Sequence, residues 1–160
     1  MWESFKPFFA WSENLWIGRS IADTIWAFPL IETIHILALT MMFGAIVIID
    51  LRMLGLGMKK QPVAVLAKNL EPYMTWGLVI MLGTGYLLFA SEAMKCFVND
   101  GFKFKMALLF PAIIFQFTLF RWISHKDETR RPMALGWFVA LLSLTLWFGV
   151  GVGGRAIGFV

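Results

Sequence analysis

The sequence predicts an all-α fold: an integral membrane four-helix bundle with an N-terminal interfacial helix. Composition is the first reason. Of 160 residues, 59% are hydrophobic and only 15% charged, with a mean hydropathy of +0.75, outside the usual range of soluble domains. The second reason is that four separate stretches are apolar enough to span a bilayer, each needing about 20 residues. Residues 1–160 therefore form a single membrane domain.

The first element is the segment MWESFKPFFAWSENLW. It has no basic region followed by a long apolar core and a small-residue cleavage site, so it is expected to remain on the mature chain. Ser12 is expected to cap an interfacial helix over about 12–20, with Trp11, Trp16 and Trp26 at the headgroup boundary. Spans follow over about 28–50, 73–91, 105–123 and 134–153. The third contains Pro111 and Gln116, which a membrane helix tolerates when neighbours satisfy the freed polar groups. Connections fall at 51–72, 92–104 and 124–133, the last with the charged run HKDETRRP.

The net charge of +4 is spread in short groups between apolar runs. This excludes a nucleic-acid surface, which needs a basic stripe with exposed aromatics, and points to anchoring at the lipid bilayer. The single cysteine, Cys96, cannot form an internal disulfide. The first and third connections with their flanks carry eight Lys and Arg, Arg130 and Arg131 among them, against six on the other side. By the positive-inside rule both termini then lie outside the cytoplasm.

This topology predicts two polar clusters. The outer one contains Glu32, His35, Lys105 and Arg155, and the inner one Asp50, Arg52, Arg121 and His125. Asp50, Arg52 and Arg121 read as interface anchors and interhelical pairs, and His125 as a loop residue facing solvent. His35 is different, lying about 10 Å into its span at 1.5 Å rise per residue. Its ring needs a partner for one donor and one acceptor. A hydrogen bond to Glu32 or to a neighbouring helix would serve; so would a metal on one nitrogen, usually a haem iron in an apolar bundle. Lys105 reads as a side chain that snorkels to the interface or pairs with Glu32.

Ten methionines include Met41, Met42, Met74, Met81 and Met106 within spans. Their spacing fits adaptable packing better than a soft-metal path. The GTG of 83–85 and GVGVGG of 149–154 are expected at close helix contacts, since neither follows a soluble strand as a phosphate loop would.

ETIHILALTMMFGAIVIIDLRMLGLG, NDGFKFKMALL and LWFGVGVGGRAIGF together resemble an uncharacterised family of small bacterial four-helix membrane proteins, over Trp16 to Phe159. More distantly, a first-span histidine, a glycine nine residues on and a lysine opening a later span resemble the bacterial membrane protoporphyrinogen oxidase and copper-resistance membrane proteins. The oxidase resemblance implies a haem b held by His35 and Lys105, with Lys103 the competing lysine of FKFK. It does not carry the oxidase reaction, because the broader oxidase sequence is not reproduced.

The expected function is thus haem b binding near the outer face, for electron transfer or a haem-linked oxidoreductase reaction. Glu32 and Arg155 would act electrostatically beside the ligands, and Arg155 could meet a propionate. The expected setting is the bacterial inner membrane, with a quinol or periplasmic redox carrier as partner and a homo-oligomer or larger complex as assembly. A cofactor-free structural or accessory subunit is the second reading, and a copper or small-ion transporter the third.

Overall fold

Backbone polar groups in a bilayer must be satisfied within their own segment, which favours continuous helices over these apolar stretches. In the computed structural model, residues 2–126 and 132–159 are described. Arg130 and Arg131, counted in the topology argument, lie outside the described residues.

A 3₁₀ turn at Trp2–Phe5 leads into α1 (Lys6–Glu13) and α2 (Trp16–Ala22). Then come α3 (Ala27–Met53), α4 (Val63–Ser91) and the short α5 (Ala93–Val98). The third long helix is built from α6 (Asp100–Phe115), a π-helical segment (Gln116–Phe120) and α7 (Arg121–Ser124). The fourth is α8 (Met133–Ala156). Among the described residues, four helices are long and apolar enough to cross a membrane, and only 28–33% of the most apolar stretch of each is buried. The remaining apolar surface, including Leu30, Leu37, Ile114 and Phe148, faces outward. Such a surface suits hydrocarbon, not water.

The helices associate as two antiparallel pairs, α3 with α4 and α6 with α8, joined largely through α3 and α8. Small residues let the first pair close. A Cβ at Gly77 of α4 would fall 2.8 Å from Met42 Cβ of α3, so only glycine fits at this crossing. The core beside it contains Ala38, Ile46, Ile49, Leu78 and Trp147.

Two helical boundaries differ from the sequence expectation for a physical reason. α4 begins ten residues before the expected span at 73, directly after Pro62. Its first turns are amphipathic: Val63, Leu66 and Ala67 are buried while Lys68 and Asn69 are exposed. A hydropathy average hides such a segment. Ser12 does not cap a helix starting there. It lies inside α1 and is buried, and α2 starts only after Leu15, without a side-chain cap.

The π segment gives Gln116 its place. Inserting an extra residue into a turn re-aims the following side chains, and Pro111, one turn earlier, already removes a backbone donor. Gln116 is buried, with Oε1 accepting from Trp147 Nε1 at 3.3 Å and Nε2 donating to Met74 Sδ at 3.5 Å. The polar side chain is therefore satisfied by two neighbouring helices, as an amide in this setting must be.

Candidate functional site

Both termini lie at the end of the bundle where α3 begins. There the two helix pairs separate and enclose a cavity of about 460 Å³, in the size range of cofactor and small-molecule sites. His35 of α3 and Lys105 of α6 both line it. Its walls are almost entirely apolar, with Phe89 and Phe102 stacked at 5.6 Å between ring centroids.

The N-terminal segment supplies one wall through Trp2, Phe5, Phe8 and Phe9. Two hydrogen bonds fix it to α5: Trp2 Nε1 donates to the Phe97 carbonyl at 2.9 Å, and Glu13 Oε2 accepts from the Met94 amide at 2.6 Å. Phe9 packs edge-on against Phe89 and Phe97 in a small separate core. The stretch ahead of the interfacial helix expected over about 12–20 thus forms a wall of the cavity.

The imidazole of His35 is oriented by a neighbouring hydroxyl. Its Nδ1 lies 3.0 Å from Thr84 Oγ1, and that hydroxyl donates its single hydrogen to the Ile80 carbonyl at 2.7 Å. The carbonyl is the shorter contact, an arrangement in which the threonine accepts from Nδ1–H and Nε2 presents a lone pair. No side chain among the described residues bonds Nε2, while the Met81 backbone also acts on the ring. The ring also lies against Gly85, where a Cβ would come 3.1 Å from His35 Cε1.

Lys105 is placed by α8. A Cβ at Gly153 would fall 3.1 Å from Lys105 Cα, and one at Gly154 would fall 3.7 Å from Nζ. These two glycines give the lysine a lane along α8, the other helix of its own pair. Its amine makes no hydrogen bond or ion pair among the described residues. Lys103, the other lysine of FKFK, is committed elsewhere: its Nζ pairs with Asp100 at 2.7 Å and lies 5.8 Å from the Trp2 ring. Geometry thus separates two lysines that sequence left in competition.

The other expected members of this cluster stand apart. Glu32 and Arg155 are exposed and neither lines the cavity; the Arg155 guanidinium lies 4.6 Å from the Phe159 ring. The polar partner of His35 is Thr84, not Glu32. Among the methionines, Met81 and Met106 line the cavity, Met42 and Met74 are core residues, and Met41 is exposed. Gly83 and Gly151 face open space, so only part of each glycine run serves a close contact.

The expected inner cluster also divides. Arg121 pairs with Glu71 at 2.8 Å, and His125 Nε2 lies 3.5 Å from the same carboxylate. His125 is thereby tied to α4 instead of simply facing solvent. Arg52 Nε donates to the Gln61 carbonyl at 2.7 Å. Asp50 is no interface anchor: it is fully buried, because it shares a helical face with Ile46, Ile49 and Met53.

Outside the spans, burial pushes the Cys96 thiol up to about 11, with Glu92 adding to the effect. It is a neutral thiol at ordinary pH, unsuited to act as a thiolate. No group of three His, Cys, Asp or Glu side chains able to hold a metal occurs among the described residues. The chemistry available in the cavity is one imidazole, one amine, the Met81 and Met106 thioethers and the Tyr86 phenol within largely aromatic walls.

Thr84→Val retains side-chain volume but removes the acceptor for His35 Nδ1. If Nε2 binds iron, affinity for haem is expected to fall about 10–100-fold, read by competition against a haem-scavenging protein. An unchanged affinity would show that the Thr84 contact does not orient a ligand.

No curated protein and no solved structure matches the chain. A family model matches residues 8–160. The chain accordingly belongs to DUF6644, a family of unknown function.

Proposed function

We propose that this protein binds one haem b in the cavity between His35 and Lys105 and serves electron transfer or a haem-linked oxidoreductase reaction. The observation that carries the reading is that His35, oriented by Thr84, lines the same cavity of about 460 Å³ as Lys105. The donor set fits the group: a histidine with its second nitrogen hydrogen-bonded is the usual haem and metal arrangement. Bound there, the haem supplies one-electron iron chemistry.

The chain's own residues then have defined tasks. Thr84 holds the imidazole plane and tautomer, while Gly85 leaves room for the ring. Phe89, Phe102 and the N-terminal phenylalanines exclude water, which favours binding of a flat hydrophobic group. Lys105 Nζ would hold the iron only in its neutral form, and Gly153 and Gly154 leave room for its side chain along α8. In our reading this end of the bundle faces the periplasm of a bacterial inner membrane. A quinol or a periplasmic carrier exchanges electrons there.

Lys105→Ala tests the pairing. The ferric protein is expected to change from low-spin with two nitrogen ligands to high-spin, by electron paramagnetic resonance. Lys103→Ala is expected to leave the spectrum unchanged. The reverse pattern would reassign the second ligand to Lys103.

A further inference from the structure

Near the opposite end of α3, the Asp50 carboxyl and the Ser143 hydroxyl of α8 are both completely buried. The Ser143 hydroxyl acts on the acid, yet neither carboxylate oxygen nor the hydroxyl completes a hydrogen bond of ordinary geometry among the described residues. A buried carboxylate without partners is costly, and in native proteins such groups are paired or hold a cation. Three oxygen atoms on two different helix pairs therefore gather with no partner beyond one another.

The charged groups around them are engaged elsewhere. Arg52 turns to the Gln61 carbonyl, and Arg121 pairs with Glu71. No charged side chain among the described residues acts on Asp50. The acid is thus balanced neither by a salt bridge nor by its own helix.

We infer that Asp50 and Ser143 form a second site, which takes a small monovalent cation, either a proton or Na⁺. One carboxylate supplies one negative charge, matching a single positive charge. Both donors are hard oxygens, which suit these cations and not a soft transition metal. No third acid, His or Cys joins them to make a multivalent metal cage. An intramembrane acid of this kind marks a proton or ion site more often than a structural pair. The site is independent of the haem cavity, and either assignment can fail without the other.

The full-length protein in detergent provides the test. In the proton case, infrared spectra show a carboxylic-acid C=O band that shifts in D₂O, disappears in Asp50→Asn and moves in Ser143→Ala. In the sodium case, replacing choline chloride with NaCl at constant ionic strength raises the unfolding temperature. That rise is lost in Asp50→Asn, and its half-saturating NaCl concentration increases several-fold in Ser143→Ala. Should Asp50→Asn fail to fold, wild type and Ser143→Ala still decide through the same two readouts. A wild-type protein showing neither signal, or a signal that both variants leave unchanged, overturns the assignment.

Discussion

His35→Ala is expected to abolish stoichiometric haem binding while leaving the bundle folded. The ring is only partly buried, and Thr84 keeps its hydrogen bond to the Ile80 carbonyl when the imidazole is gone. No buried polar group is orphaned, so the apoprotein should lose about 1 kcal/mol or less. The cavity would keep its aromatic walls but lose the lone pair that fixes iron. Absorption spectra and far-ultraviolet circular dichroism on the same sample separate the two effects. A cofactor-free structural subunit predicts the opposite pattern, with assembly lost and no colour to lose.

Trp147→Ala carries the largest expected effect on stability. Trp147 is 2% exposed and fills the centre of the bundle between α3, α4 and the π segment. Truncating a buried aromatic costs about 3–5 kcal/mol through lost burial and the cavity left behind. The change also strips Gln116 Oε1 of its donor, whose desolvation adds about 1–3 kcal/mol. Trp147→Phe separates the contributions, retaining much of the ring while deleting the N–H. Denaturant unfolding in a fixed detergent should order stability as wild type, Trp147→Phe, then Trp147→Ala. Equal stability of the two variants would mean that the hydrogen bond to Gln116 contributes most of the loss.

The four spanning helices were legible because each combines length with a nearly unbroken apolar run. His35 also stood out, as an imidazole deep in such a run is costly without a partner. Its actual partner was not legible: Thr84 lies 49 positions away, and nothing in its local sequence separates it from Thr40 or Thr145. Those two only bond back to their own helix, at Ile36 and Leu141. The aromatic enclosure was hidden for a related reason. Phenylalanines in a membrane segment are equally at home against lipid, in the core or around a cavity.

Asp50 shows the limit of reading depth from a helix terminus. Its position three residues before the end of α3 suggested water, whereas the face it occupies directs it into the bundle. Depth along a helix and direction around it are independent, and only tertiary packing fixes the second. Glu71 escaped notice because the first turns of α4 resemble a polar connection. The two lysines of FKFK lie two positions apart on different helical faces, and Lys103 meets Asp100 while Lys105 enters the cavity.

The visible absorption spectrum of the wild-type protein, purified from haem-replete cells, tests the central assignment most directly. The expected result is a Soret band with about one haem per chain, displaced in Lys105→Ala and absent in His35→Ala. A folded, colourless wild-type protein that also fails to take up added haem would contradict it.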